Sequence, residues 1–398
     1  MNSASDRLVT PRFVMITFSA LFYFIGFAML LPTLPRYVED VLEGSSTEIG
    51  LVVGSFGVSA AVIRPVLGRV GDIYGRRVLL VSGAFISGAM ALLYPVWASI
   101  PILIILRLIT GVGESGAFVG AATAIQDMAP DGRRGEAASY FSLAIYGGLG
   151  IGPVLGEWLF TNSGFEGVVR ASFAISAVSA VLAFAVPARA PIVDRSATRE
   201  AKRSFLHRAA VLPGVVFTAS LIGVVGFTTF IALYIDRLTD GESSSALVFV
   251  TYAAVVVLLR LFFASAPDQL GARNGTILAL SLIAAGLLIM AVWASLLGVY
   301  VGVVVLSFGV AFNYPALFLF VMDKTEPHER SHSVASFGFF FDVAGAIGAP
   351  LLGVVVDLSG DERWAFVVGA LASVVGLVGL RFLDPPPRVK AGIEPQVA

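Results

Sequence analysis

The sequence contains no cysteine and only three histidines, and both shortages remove whole classes of chemistry. Without cysteine, the 398-residue chain can form no disulfide, thiol nucleophile or cysteine-ligated metal site. His207, His328 and His332 fall at the ends of apolar segments or in linkers. A buried Ser-His-Asp triad or a histidine metal site therefore lacks residues within the apolar segments. We expect no enzyme activity, no cofactor and no metal.

Charged residues are also scarce. They make up 13% of the chain, against roughly 25% in soluble domains, while hydrophobic residues make up 57% and the mean hydropathy is +0.89. These values predict an integral membrane protein. The formal net charge is -1 and the sequence has no basic or acidic tail, so we do not expect nucleic acid as a partner.

The apolar residues form twelve blocks, each about as long as a membrane-spanning helix. We therefore predict an all-α membrane protein with twelve transmembrane helices. No small-residue cleavage site follows the first block, so we expect that block to stay in the mature protein. The blocks cover approximately residues 13–35, 48–68, 78–97, 101–126, 136–160, 167–187, 211–235, 244–265, 275–295, 297–322, 332–357 and 363–383.

Basic residues are distributed unevenly between the two sides. With the N-terminus inside, 21 of the 26 would be cytoplasmic, and only Arg36, Arg170, Arg237 and Arg363 would face outside. This asymmetry predicts that both termini lie in the cytoplasm. The membrane that we expect is a bacterial inner membrane. The longest polar connection follows the sixth block. We predict a six-helix half at residues 1–188, a cytoplasmic linker at 189–208, and a second half with a short cytoplasmic tail at 209–398.

A weak internal repeat relates the two halves. Parallel repeats of this kind occur in secondary transporters, whose substrate site lies near the membrane midplane between the halves. We expect the repeated charges at the cytoplasmic rim, where they would brace and gate each half. With an offset of 196 residues, Arg64, Asp72, Gly75, Arg77, Asp127 and Arg134 match Arg260, Asp268, Gly271, Arg273, Asp323 and Arg330; with an offset of 197, Gly148, Pro153 and Gly156 match Gly345, Pro350 and Gly353.

Four charges inside the apolar blocks have no counterpart in the other half: Arg107, Glu114, Glu157 and Asp342. A charge within the bilayer is costly, so these four are candidates for proton coupling or substrate binding. Arg107 and Glu114 are seven residues apart and share one helix face. Glu114 and Asp342 are expected near the midplane. The alternatives are neutral acids with structural hydrogen bonds, and outward snorkelling of Arg107 or Glu157.

Aromatic and polar residues accompany these charges. The phenylalanines at 337, 339, 340 and 341 stand beside Asp342, and aromatic walls with a carboxylate suit an amphipathic or cationic solute. Tyr23, Asn313 and Tyr314 are candidate polar contacts in the same cavity. Structural hydrogen bonding is the alternative for all three.

Several motifs resemble those of the major facilitator superfamily. The segment from Gly68 to Arg77 (GRVGDIYGRR) resembles its signature loop, and Arg107-x-x-x-Gly111-x-Gly113 resembles the arginine motif of its proton-coupled members. The glycines of Gly148-x-x-x-Gly152-Pro153-x-x-Gly156 resemble its antiporter motif, although Glu157 stands where a second glycine is more frequent. Pro32-x-x-Pro35 resembles a pattern of the twelve-helix drug:proton antiporter branch. Members of that branch often have an acidic residue in the first helix, and this sequence has none there.

The signature loop also has a physical interpretation. Gly68 and Gly75 permit a tight connection between two spans, Asp72 can cap a helix N-terminus, and Arg76 can reach Asp127. We predict a cytoplasmic gate; the alternative is ordinary solvated loop charges. The predicted gate residues are Gly68, Asp72, Gly75, Arg76, Arg77, Asp127, Asp268, Arg273 and Asp323.

Together, the repeat, the buried charges and the resemblance predict a monomeric secondary transporter. It would export a small amphipathic or cationic compound, in the manner of multidrug efflux, in exchange for protons and by alternating access. One alternative is a sugar or organic-solute exporter or importer that works by symport or facilitated transport. Another is a membrane sensor or enzyme that no longer transports. The expected partners are a small-molecule substrate, protons and the lipid bilayer.

Overall fold

The fold is a bundle of helices, described by a computed structural model for residues 8–130, 133–187, 206–263, 266–326 and 330–383. Within those ranges the regular elements are all helical. The principal helices are α1 (Pro11–Ala28), α2 (Leu30–Arg36), α3 (Ser46–Tyr74), α4 (Arg76–Leu92), α5 (Ile100–Asp127), α6 (Arg134–Leu182), α7 (Arg208–Thr239), α8 (Ala246–Phe262), α9 (Ala266–Val292), α10 (Leu296–Asp323), α11 (Arg330–Ser359) and α12 (Arg363–Gly379).

All twelve predicted spans fall on these helices. Nine helical stretches of the described chain are long and apolar enough to cross a membrane. One of them, Glu136–Ala185, contains both the fifth and the sixth predicted span, and Gly164 breaks it between them with φ 66° and ψ -174°. The two spans still to be assigned are the 17-residue helices α4 and α8. The prediction of an all-α membrane protein is confirmed. Most of the predicted linker, 189–208, lies outside the described residues.

The repeat is visible in the backbone. Gly75 joins α3 to α4 with φ 95°, and Gly271, at the matching position of the second half, breaks α9 with φ 76°. Both glycines lie in the left-handed region, which residues with a side chain rarely adopt. The chain therefore makes the same kind of turn at two positions that the sequence repeat had paired.

Polar side chains cap the N-termini of α3 and α7. Ser45 and Glu48 form a capping box at the start of α3, because the Ser45 hydroxyl accepts from the Glu48 N–H and the Glu48 carboxylate accepts from the Ser45 N–H. At the start of α7, the His207 Nδ1 accepts from the Ala209 N–H. His207 thus has a structural contact at a helix end.

The bundle has two ends. We call the end that carries Gly75 and Asp127 the terminal face, and the end that carries Arg36 and Ser46 the distal face. The distribution of basic residues predicts that the terminal face is cytoplasmic. Buried apolar side chains join the two halves near the distal face, where Leu34 of α2 and Phe230 of α7 belong to one core cluster.

Helices α3 and α11 pack backbone against backbone. A Cβ atom added to Gly50 would lie 2.3 Å from the Ala349 carbonyl oxygen. One added to Gly57 would lie 2.6 Å from the Ala346 nitrogen and 2.8 Å from the Asp342 carbonyl oxygen. Such distances leave no room for a side chain, so these glycines allow α3 of the first half to approach α11 of the second.

Candidate functional site

Arg64 on α3 lies between two acids, one from each half of the chain. Its Nη2 donates to Glu114 Oε2 over 3.1 Å and to Asp342 Oδ1 over 2.9 Å. Its Nε lies 2.7 Å from Asp342 Oδ2, an ion-pair contact that lacks hydrogen-bond geometry. Since Glu114 is on α5 and Asp342 on α11, one guanidinium links three helices and both halves.

This charged cluster is deep inside the bundle. The side chains of Arg64, Glu114 and Asp342 are 13%, 9% and 3% exposed. Glu114 lies about 21 Å along α5 from its first residue, near the middle of the helix. The Phe118 ring covers the Arg64 guanidinium, with 4.6 Å between Cζ and the ring centroid. With all three groups ionised, the cluster carries one net negative charge, which suits a proton or a cationic substrate group.

The sequence predicted that Glu114 and Asp342 would serve one cavity, and the structure brings them to the same guanidinium. The expectation for Arg64 was wrong: we expected it at the rim with its repeat counterpart Arg260. Arg64 instead lies within the apolar stretch Ser46–Gly68. Its position inside an apolar block, the signal that identified Arg107, could have found it. Because Arg64 repeats as Arg260, we predicted that both arginines lie at the cytoplasmic rim.

Arg107 is buried on the same helix as Glu114 but does not join the cluster. It is 5% exposed, its Nε donates to the Val52 carbonyl oxygen over 3.3 Å, and its Cζ lies 4.7 Å from the Phe56 ring centroid. Within the part of the chain that the structure describes, Arg107 makes no ion pair with an acid. Its observed partners are therefore the backbone and an aromatic ring of α3.

Glu157, the fourth unduplicated charge, belongs to a second ionic cluster at the distal face. The Arg36 guanidinium lies 3.3 Å from Glu157 and makes two hydrogen bonds to Asp236, of 2.6 and 2.7 Å. Glu157 also accepts from the hydroxyls of Ser244 and Ser245, and from the Ser245 N–H over 3.1 Å. Because Arg36 and Glu157 come from the first half and the other three from the second, this cluster joins the halves.

Two further contacts hold the halves together at the distal face. Asp357 in the last turn of α11 accepts from the N–H groups of Ser46 and Thr47, each over 2.8 Å, and so caps α3 of the other half. Arg237 reaches Glu39 at 3.1 Å. The sequence did not predict these pairs, because nothing in it indicates which loops meet.

The three polar residues predicted in the cavity pack mainly within their own halves. The Tyr23 hydroxyl lies 3.3 Å from the Ser87 Oγ, and Asn313 Nδ2 donates to the Ser220 Oγ over 2.8 Å. Tyr314 packs on the aromatic core of the second half. The contacts of Tyr23 and Asn313 fit the alternative of structural hydrogen bonding, although the Asn313 Oδ1 is buried without a partner among the described residues.

The phenylalanines beside Asp342 do not form one wall. Phe337 is fully buried and stacks on Phe217 with 4.9 Å between ring centroids. Phe340 is also buried, whereas Phe341 is 58% exposed. This cluster therefore contributes mostly to the core of the second half.

At the terminal face, part of the predicted gate can be described. Arg76 Nε lies 3.3 Å from Asp127 Oδ2, the contact that the sequence predicted. Arg77 Nε donates to the Val186 carbonyl oxygen over 2.5 Å and ties the signature loop to the end of the sixth span. Gating by these residues stays a prediction.

The other predicted gate residues give less information. Gly68 lies within α3, and open space surrounds the position that its Cβ would take. Arg273 and Asp323 are exposed. The side chains of Asp72 and Asp268 lie outside the described part of the structure.

The glycines of the antiporter-type motif face α1. A Cβ atom added to Gly148, Gly152 or Gly156 would lie 2.4 to 2.6 Å from the nearest α1-side atom, which for Gly156 is the Met29 carbonyl oxygen. Pro153 lies between them inside α6. Close packing of small residues against a neighbouring helix accounts for this stripe. Within the described residues, no three histidine or acidic side chains lie close enough together to hold a metal ion.

Known proteins resemble this chain in sequence and in fold. Residues 16–349 and 241–397 match the family model described as Major Facilitator Superfamily. An uncharacterized MFS-type transporter, YhhS of Shigella flexneri, is 24% identical over 97% of this chain and 95% of its own length. Multidrug resistance protein 1 of Bacillus subtilis is 26% identical over 58% of this chain and 60% of its own length. The inward open xylose transporter XylE from E. coli has a TM-score of 0.74 at 15% identity and covers 95% of this chain and 97% of that one.

Proposed function

The chain belongs to the major facilitator superfamily, and we propose that it exports a small amphipathic or cationic compound in exchange for protons. Membership makes it a multi-pass membrane transporter of small molecules and not an enzyme, as the sequence predicted. The likeness to a multidrug resistance protein supports efflux. The location that we propose is a bacterial inner membrane, with both termini cytoplasmic and the chain monomeric.

The observation that carries this proposal is that Glu114 and Asp342 share Arg64. A proton on either acid removes one attraction to the guanidinium, while the other acid still neutralises it. A proton and a cationic group of the substrate would therefore compete for the same net negative charge. Such competition, combined with alternating access of the site to the two sides of the membrane, would exchange protons for substrate.

The same cluster supplies a link to conformation. Asp342 comes from the second half, whereas Arg64 and Glu114 come from the first. Loss of charge on Asp342 would weaken the tie between the halves at mid-depth and favour a state in which they separate there. In the other state, the distal contacts would open and the terminal face, which carries Asp72, Arg76 and Asp127, would close.

Transport by the purified protein in proteoliposomes tests the proposal. We expect ethidium, an amphipathic cation, to accumulate against its gradient when a pH gradient is imposed, and to equilibrate when an ionophore abolishes that gradient. Counterflow of neutral sugars that ignores the pH gradient would favour the sugar or organic-solute alternative. The absence of flux with every compound would favour a sensor.

A further inference from the structure

Arg260 on α8 is the repeat counterpart of Arg64, but its partners among the described residues do not include an acid. Its Nη1 donates to the Ser142 Oγ over 3.1 Å and its Nη2 to the Tyr146 hydroxyl over 3.3 Å. Its Cζ lies 4.8 Å from the Tyr146 ring centroid. No Asp or Glu side chain of the described residues contacts it. Two of the interfaces between the halves therefore differ. Helices α3 and α11 are linked by charged side chains, whereas at α6 and α8 an arginine is linked to hydroxyl groups.

The sequence explains why the counter-charge is missing. Asp342, which pairs with Arg64, corresponds to Ile145 in the other half. The Arg260 Nε is buried and has no hydrogen-bond partner within the described part of the chain. An unbalanced guanidinium inside an apolar bundle is costly, and hydroxyl groups do not neutralise it. This arginine is consequently short of one negative charge and one acceptor.

A cavity adjoins this guanidinium. It has a volume of about 190 Å³, lies between α6, α8 and α10, and is lined by Arg260, Ser142 and Tyr146 on one side and by Phe312 and Pro315 on the other. Pockets for whole ligands occupy roughly 300–1,000 Å³. The cavity therefore fits the charged end of a molecule whose apolar remainder lies outside it.

We propose that this cavity binds an anionic group, a carboxylate or a phosphate, on Arg260. The planar guanidinium can bind two oxygens of such a group side by side, and its orphaned Nε is one of the donors that this geometry uses. The Ser142 and Tyr146 hydroxyls can donate to the same group. The bound anion supplies the charge that Asp342 supplies to Arg64.

The anionic group can come from two sources: a soluble compound or the headgroup of an anionic lipid. A soluble source would mean that the bound compound has an acidic end and an apolar body. The inference goes beyond the proposed proton exchange and does not depend on it, because anion binding is measured at equilibrium without a gradient.

Thermal unfolding of the purified full-length protein in lipid nanodiscs tests the site. One arm adds sodium benzoate or inorganic phosphate to phosphatidylcholine nanodiscs, with sodium chloride at equal ionic strength as the reference. The other arm replaces part of the phosphatidylcholine by phosphatidylglycerol. We expect at least one arm to raise the unfolding midpoint of the wild type by about 2 °C or more. The first arm identifies a soluble anion, the second a lipid headgroup.

The variants decide whether the response belongs to Arg260. Arg260→Gln should lose the increase in unfolding midpoint. Arg381→Gln, which removes an exposed arginine at the terminal face, should keep that increase. Ser142→Asp adds an internal carboxylate within reach of Arg260 and should also lose it, so the test stands even where Arg260→Gln does not fold. An equal response in Arg260→Gln or Ser142→Asp, or no response of the wild type in either arm, would overturn the proposal.

Discussion

Arg64 Nη2 and Asp342 Oδ1 lie 2.9 Å apart and join α3 of the first half to α11 of the second. The same nitrogen lies 3.1 Å from Glu114 Oε2, so two acids share one donor. Close packing at Gly57 brings the two backbones together one to two turns from this contact. A change in the charge of Asp342 therefore acts directly on the contact between the halves, and a change in the charge of Glu114 acts on it through Arg64.

The first prediction concerns the two acids. Glu114→Gln and Asp342→Asn should each abolish uphill transport driven by a pH gradient. An amide keeps the shape of the carboxyl group but cannot gain or lose a proton in the transport cycle. At least one of them should still bind or exchange substrate. Accumulation and counterflow in proteoliposomes measure the two properties separately. Proton release on adding substrate should vanish in the variant that keeps exchange.

Glu166→Gln is the matched control for this prediction. Glu166 is 61% exposed in its pair with Arg170, so its loss should leave transport unchanged. If both Glu114→Gln and Asp342→Asn concentrate substrate at wild-type rates, the two acids are structural, and the proposed coupling is wrong.

The sequence identified these acids but missed their arginine, for a physical reason. Glu114 and Asp342 stand out because a charge within an apolar block is unusual whatever surrounds it. Arg64 stands in an apolar block too, but its match with Arg260 suggested a symmetric role at the rim. Only tertiary packing shows that the arginines have different partners, two acids for Arg64 and two hydroxyls for Arg260.

The fold was predictable because each spanning helix requires its own long apolar block. The break at Gly164 also falls between two predicted spans. The pairing of loops was not predictable: Arg36 and Asp236 are 200 residues apart, and no local pattern relates them. Contacts of this kind depend on how the two halves meet.

The second prediction concerns the distal face. Asp236→Asn removes the charge that receives two hydrogen bonds from Arg36 and should let this face open more often. Hydrogen bonds to charged groups contribute about 1.5–3 kcal/mol, so opening should increase roughly tenfold or more. A cysteine introduced as Leu34→Cys, buried between α2 and α7, reports opening by its rate of reaction with a membrane-impermeant maleimide.

The chain contains no other cysteine, so the reporter is the only thiol. Asp240→Asn provides the control, since Asp240 is exposed four residues further along and makes no side-chain hydrogen bond or ion pair in the described structure. Equal labelling rates in the two variants would show that the Arg36–Asp236 pair does not hold the distal face closed.

The third prediction separates packing from gating in the antiporter-type motif. Gly156→Ala would place a Cβ atom 2.4 Å from the Met29 carbonyl oxygen, so α1 and α6 must move apart. We expect destabilisation of about 1–3 kcal/mol, seen as a lower unfolding midpoint. Gly338→Ala on α11 is the control, because no described atom outside the adjoining backbone of α11 lies within 4 Å of its new Cβ. Normal stability of Gly156→Ala with lost transport would instead favour a gating role.

The fourth prediction concerns Arg107. Its Nε donates to the Val52 carbonyl oxygen and its Cζ lies over the Phe56 ring, and both contacts tie α5 to α3. Lysine lacks the planar guanidinium and its fixed set of N–H donors. Arg107→Lys should therefore impair transport nearly as much as Arg107→Ala. A buried cation–π contact contributes about 2 kcal/mol, and Arg107→Ala loses it, so Arg107→Ala should also unfold at lower temperature.

Arg170→Lys is the matched control, because Arg170 is 72% exposed on α6 and its surface pair contributes little to stability. Transport by each variant is compared at equal amounts of folded protein, so that lower stability is not mistaken for lower activity. Wild-type transport by Arg107→Lys would mean that only the positive charge is needed at this position. In that case the contacts with Val52 and Phe56 would be incidental to the transport cycle.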